Sequence, residues 1–157
     1  MTKLGYICAW LAFFILVVFL ADLYMLKHRL QVAFDRSSVI AADQGEFLQT
    51  PDMPIDPNIA ADKFVEILSA NLNLNSSLVA QSANQRVRSV DIQEFEVINE
   101  FSTTSVSITN PLNGQVVVGE INRPSVVVLG IVHVHVAFLP GQIQIPVFSS
   151  SSGIRPL

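Results

Sequence analysis

The sequence predicts an α+β protein, with a long N-terminal helix, a second short helix and an antiparallel β-sheet head of about four to five strands. An uncharged apolar run opens the chain, apolar residues then recur at intervals of three and four, and from Arg86 onward they alternate. The apolar run also explains much of the composition, in which 50% of the 157 residues are hydrophobic and 14% are charged.

The opening run, from Leu4 to Ala21, contains 18 consecutive residues without a charge. As a helix it would be about 27 Å long, close to the hydrocarbon core of a bilayer at about 30 Å. A cleaved signal sequence is the alternative, but its apolar stretch is usually shorter, and in Phe19-Leu20-Ala21 a bulky residue stands where a cleavage site needs a small one. We therefore expect residues 1–26 to form a retained transmembrane helix.

The same helix is predicted to continue as an amphipathic extension over residues 27–50. Apolar positions spaced by three and four residues reach Leu48, and nothing before Pro51 forces a break. The opposite face is predicted to be polar, with Lys27, Gln31, Asp35, Arg36, Ser38, Asp43 and Glu46.

Residues 51–85 are predicted to hold a linker and the second helix. Asp56-Pro57 is typical of a helix start, because the carboxylate can cap the first turn and proline fits the first helical position. We expect this helix to run to about Leu72, where an asparagine- and serine-rich loop begins.

Residues 86–149 are predicted to form the antiparallel β domain, arranged as a meander because the connections between its strands are short. The strand that begins at Ser125 is apolar on both faces and should be central, whereas the last strand contains Pro146 and should lie at an edge. Residues 150–157 are predicted to form a flexible tail. The expected strands are Val87–Phe101, Ser105–Thr109, Gln115–Ile121, Ser125–Leu139 and Gln142–Phe148.

This order of elements resembles type IV pilins and, more closely, TadE-like proteins of the tight-adherence pilus class. The likeness lies in the membrane helix, the small-residue-rich segment from Ser37 to Gly45, the helix from Asp56 to Phe64 and the strands that follow. The resemblance implies a structural subunit of a pilus-like extracellular filament, in which the apolar helices bundle and the β heads lie on the outside.

The resemblance also implies a processing site near the N-terminus. Met1-Thr2-Lys3-Leu4-Gly5 resembles the short basic leader of such subunits, so Gly5 is the candidate processing site and Tyr6 would be the first residue after cleavage. The helix of the family then carries glutamate at its fifth position, where this chain has Trp10. The role of that glutamate in subunit registration is therefore not carried over.

A filament of this kind would assemble through its hydrophobic helices. The expected partners are further copies of the chain, the membrane before assembly, and the pilus-assembly machinery. Asp22 would either pair with Lys3 or the terminal amine of a neighbouring subunit, or lie among the lipid headgroups beside Lys27 and Arg29. The residues predicted to form the assembly helix are Tyr6, Trp10, Phe13, Phe14, Val17, Leu20 and Asp22.

The sequence offers little for catalysis or for metal binding. His133 and His135 share one face of a strand and are weak candidates for metal ligands, but no nearby residue supplies a third ligand, so no metal or cofactor is expected. The chain contains no nucleophile elbow, phosphate-binding loop, zinc-protease motif or dinucleotide fingerprint, which argues against an enzyme. The net charge of −4 argues against a nucleic-acid partner.

Two functions remain open from the sequence: the filament subunit, and a monomeric single-pass anchor or scaffold in a secretion or pilus-assembly complex. Lys3 precedes the apolar run whereas Lys27, Arg29 and Arg36 follow it, a local bias that favours a cytoplasmic head. Long domains translocate largely regardless of flanking charge. We expect the head to lie outside, in the membrane before assembly and at the cell surface afterwards.

Overall fold

The computed structural model describes residues 2–43, 54–100, 102–136 and 141–152. The chain divides into two compact units, Met1–Leu30 and Gln31–Leu157. The structure confirms the predicted α+β class, with a long apolar N-terminal helix, one further short helix and antiparallel strands. The elements are α1 (Thr2–Asp43), α2 (Pro57–Leu72), β1 (Val87–Ile98), β2 (Thr104–Thr109), β3 (Val116–Ile121), β4 (Ser125–His135) and β5 (Gln142–Ser150).

Helix α1 belongs to both units: residues 2–30 lie in the first, and residues 31–43 are the beginning of the second. No proline interrupts it, and its last described residue is Asp43, so the predicted end at Leu48 lies outside the described residues. Within the second unit it buries one side and exposes Arg36 and Val39 on the other. The buried side consists of Ala33, Phe34, Ser37, Ser38 and Ala41.

Helix α2 begins and ends where its capping residues predict. Asp56 has extended backbone angles, and its Oδ1 accepts hydrogen bonds from the backbone N–H groups of Asn58 at 2.9 Å and Ile59 at 3.2 Å. Asn73 ends the helix in the left-handed region with φ of 55°, a conformation that asparagine tolerates better than most residues. The buried face of α2 consists of Ala60, Phe64 and Leu68.

The strands form two separate sheets. One has three antiparallel strands in the order β1-β4-β5, and the other is a two-stranded ribbon of β2 and β3. Strand β4 is therefore central and β5 lies at an edge, as predicted. The predicted meander is wrong, because β2 and β3 leave the sheet and β1 pairs with β4 instead.

The reason for this arrangement is the apolar character of both faces of β4. Its even-numbered residues face the helices, and Gly130 lies directly beneath the ring of Phe34. The odd-numbered residues of β4 would face water if the strands formed a simple meander. Instead, the β2–β3 ribbon covers the first of these residues, Val127 and Leu129. That second core consists of Ile98, Val106, Ile108, Ile121, Val127, Leu129 and Phe148, with Val117 packed against it.

The first of the C-terminal serines, Ser149 and Ser150, belong to the sheet. Strand β5 extends to Ser150, which is buried, although the tail was expected to start at that residue. The Ser151 backbone N–H donates to the Val126 carbonyl at 2.9 Å, and the Ser151 hydroxyl accepts from the Val126 N–H at 2.9 Å. Residues 153–157 of the predicted tail lie outside the described residues.

Candidate assembly surface

The first unit exposes most of its large apolar side chains. Tyr6 is 71% exposed and Trp10 is 70% exposed, although such residues are usually buried in a protein that works in water. The helix is long and apolar enough to cross a membrane, and none of its most apolar 18-residue window is buried. The other exposed large hydrophobic residues here are Ile7, Leu11, Phe13, Phe14, Ile15, Leu16, Val17, Val18, Leu20, Tyr24 and Met25.

Six of the seven residues predicted to form the assembly helix lie on one side of α1. They are spaced by one, three and four positions, which places them within about a third of the helix circumference. The ring centroids of Trp10 and Phe13 are 6.1 Å apart in an edge-to-face arrangement. Asp22, the seventh, is half-buried and falls outside this side. The aromatic side consists of Tyr6, Trp10, Phe13, Phe14, Val17 and Leu20.

Another side of the same helical segment carries small residues, which the sequence interpretation did not single out. Gly5, Cys8, Ala9 and Ala12 follow one another at spacings of three, one and three, so they share one side. The position where a Gly5 side chain would lie is open, with no heavy atom within 4 Å. Gly5 itself, the candidate processing site, lies within the first turns of α1.

The first unit ends in a cluster of polar and basic side chains. Tyr24 is 75% exposed, and Lys27, His28 and Arg29 are all exposed one turn further on. Among the residues that the structure describes, none forms a hydrogen bond or an ion pair with these three side chains. The apolar surface of this unit is thus bounded by positive charge.

The second unit contains a polar seam between α1 and β5, defined by Gln31, Asp35, Ser38 and Ser149. The Ser149 hydroxyl donates to Asp35 Oδ1 at 2.9 Å, and the Ser38 and Ser149 hydroxyl oxygens lie 2.7 Å apart. Gln31 Nε2 donates to Asp35 Oδ1 at 2.9 Å and to the carbonyl oxygen of Phe148 at 2.6 Å. Ser38 was predicted on the exposed face, but it is fully buried. No sequence pattern links residues that lie more than a hundred positions apart.

His133 and His135 lie on β4 as predicted, but they differ in their contacts. His133 Nε2 is 2.9 Å from Asp91 Oδ2, an ion-pair geometry with the aspartate on β1, whereas His135 is exposed. In the described parts of the chain, no group of three histidine, cysteine, aspartate or glutamate residues could hold a metal ion. The geometry of the two histidines therefore gives no support to a metal centre.

The interior between the ribbon and the three-stranded sheet offers no room for a ligand. A cleft there is too narrow to hold a water molecule. Its lining is apolar and consists of Val106, Val117, Gly119, Ile121, Val127 and Phe148. The exposed surface of α1 is therefore a better candidate for a functional site than this cleft.

Comparisons with protein-family models, with curated proteins and with solved structures give no match to this chain. A functional assignment consequently depends on the geometry of the described residues and on the resemblance seen in the sequence.

Proposed function

We propose that this chain is a membrane-inserted structural subunit of a pilus-like filament. Its hydrophobic helices would bundle with those of further copies, and its β heads would form the outer wall. The observation that carries the proposal is the exposed apolar surface of α1 over residues 5–25, which needs a cover that the described parts of the chain do not supply. Lipid can cover it before assembly, and neighbouring helices can cover it in a filament.

The two sides of the helix suit two kinds of contact. Gly5, Cys8, Ala9 and Ala12 allow a second backbone to approach closely, as small residues do at helix interfaces in membranes. The aromatic side presents large rings that can pack against lipid or against a more distant helix. Neither side contains a charged residue that would oppose burial.

The second unit supplies a head that can fold on the membrane surface without contributing to the apolar contacts. One face of β4 is covered on the helix side, where Phe34 packs on Gly130, and the β2–β3 ribbon covers Val127 and Leu129 on the other face. The outer side of β2 carries Ser105, Ser107 and Thr109, which are exposed and suited to water. On the neighbouring strand β3, Val116 and Val118 are exposed on the same side of the ribbon, and in a filament they could contact a neighbouring head.

The first experiment is electron microscopy of the material sheared from cells that express the chain, with an antibody raised against residues 86–157. The expected result is labelled filaments, and the mass of the subunit in them would report whether the chain is cut after Gly5. An unlabelled sheared fraction, with the protein kept in the membrane, would contradict the filament and favour the monomeric anchor.

A second experiment uses Cys8, the one cysteine in the sequence, which is exposed on the small-residue side of α1. In native membranes, a bifunctional maleimide reagent should join two copies into a dimer, because each copy has one thiol to react. Cys8→Ser is the matched control and should give no dimer. A wild-type protein that stays monomeric under the same treatment would argue against helix contacts on this side.

A further inference from the structure

The basic side chains at the end of the first unit are spread around the helix in a way that suits contact with a membrane surface. Lys27, His28 and Arg29 are consecutive, and successive helical residues point about 100° apart. Their side chains therefore extend over about 200° of the helix circumference and form a collar. A protein partner would approach one side of the helix, whereas lipid headgroups surround it.

The distance along the helix places this collar at the depth of the headgroups. Tyr6 and Tyr24 are 18 positions apart, so the helix between them spans about 27 Å, close to the hydrocarbon thickness of about 30 Å. Tyrosine is enriched at both membrane interfaces, because its ring is apolar and its hydroxyl is polar. With the two tyrosines at the two interfaces, the collar lies just beyond the second one.

The chemistry of the collar favours phosphate. The guanidinium of Arg29 can bind a phosphate through two parallel hydrogen bonds, and the flexible stem of Lys27 lets its ammonium reach a neighbouring headgroup. All three side chains are exposed, and no described residue forms a hydrogen bond or an ion pair with them. The charges of Lys27 and Arg29 are therefore available to an external anion.

We propose that Lys27, His28 and Arg29 form a binding collar for the headgroups of anionic phospholipids, which selects these lipids around the end of the membrane helix. This inference rests on the proposed membrane insertion but not on filament assembly. It assigns a ligand class to a part of α1 outside the predicted helix contacts.

The test is tryptophan quenching in vesicles of equal parts phosphatidylcholine and phosphatidylglycerol. The full chain carries Trp10→Phe and Tyr24→Trp, so that its only tryptophan lies one turn from Lys27. Brominated acyl chains are placed on one lipid in the first sample and on the other lipid in the second, so the surface charge stays the same. We expect stronger quenching when phosphatidylglycerol carries the bromine, with its association favoured about fivefold for each basic residue at low salt.

Lys27→Gln combined with Arg29→Gln should bring the two quenching values together, and so should raised salt. Arg123→Gln is the matched control, because Arg123 is exposed in the second unit and should leave the preference unchanged. If the two brominated lipids quench the tryptophan equally when Lys27, His28 and Arg29 are unaltered, the proposed lipid-binding collar is overturned but membrane insertion is not. If neither brominated lipid quenches the tryptophan, both the collar and the proposed membrane insertion are overturned.

Discussion

Gly130 on β4 marks the place where an aromatic ring touches the backbone of the sheet. A side-chain carbon built on it would lie 2.7 Å from two ring carbons of Phe34, a distance that carbon atoms do not tolerate. Phe34 in turn packs edge-to-face on Phe64, with ring centroids 5.8 Å apart, and Phe64 packs on Phe95 at 5.6 Å. One small residue thus lets three rings join α1, α2 and β1.

Gly130→Ala should therefore destabilise the second unit, although alanine suits a strand no worse than glycine does. The added methyl group must push the Phe34 ring away, and overpacking of this kind typically costs about 1–3 kcal/mol. The measurement is thermal unfolding of the full chain in detergent micelles, followed by circular dichroism.

The control is a second substitution at the partner residue. Phe34→Leu removes the ring atoms that the new methyl group would meet, so Gly130→Ala should cost much less in that background. If Gly130→Ala costs the same in both backgrounds, the ring contact is not the reason that glycine occupies this position.

At the scale of the elements, the polar seam fixes how α1 lies against β5 within the second unit. Apolar contacts have little directional preference, so they would tolerate a small shift of the helix along the strand. The hydrogen bonds of Ser149 with Asp35 and of Gln31 with Phe148 do not tolerate such a shift. Gln31 also donates to the carbonyl oxygen of Phe148 on the edge strand β5. Without this bond, that carbonyl group would need a hydrogen bond from water.

Ser149→Ala should lower the free energy of unfolding by about 1–3 kcal/mol, because it removes the buried hydroxyl that joins Asp35 to Ser38. The free energy is measured by urea unfolding of the full chain in micelles. Ser107→Ala is the matched control, since Ser107 is exposed on β2, and it should stay within about 0.5 kcal/mol of the wild type. Equal effects of the two substitutions would mean that the seam does not stabilise the fold.

At the scale of the whole molecule, the open question is the side of the membrane on which the second unit lies. The chain contains one Asn-x-Ser/Thr sequence, Asn75-Ser76-Ser77, and all three residues are exposed in the loop after α2. Such a site receives glycan only in the lumen of microsomes, so it reports orientation whatever the source of the chain.

We expect the chain, translated in the presence of microsomes, to gain the mass of one glycan that an endoglycosidase removes. Asn75→Gln should abolish the gain. A glycosylated head would lie on the opposite side from the cytoplasmic one that Lys27, Arg29 and Arg36 favour. We expect it because a domain of this length translocates largely regardless of flanking charge. An unmodified chain whose head is digested by added protease would place the head in the cytoplasm, and would contradict the proposed surface location.

The strongest sequence signals concerned single elements. The capping pair Asp56-Pro57 located the start of α2, and the apolar pattern on both faces of β4 identified the central strand. The apolar run predicted which part of α1 is exposed and most of the residues of the candidate assembly surface. Lys27 and Arg29 of the collar were recognised in the sequence as well, but only as flanking charges, whereas His28 was not singled out.

The sequence by itself determined the elements and their apolar sides, because periodicity and capping are local properties of the chain. The tertiary structure alone decided which strands pair, where the β2–β3 ribbon lies, and that Ser38 is buried against Ser149. These outcomes depend on covering both faces of β4 and on satisfying polar groups between distant segments. Neither requirement appears in any short stretch of sequence, since each arises only when the elements are packed together.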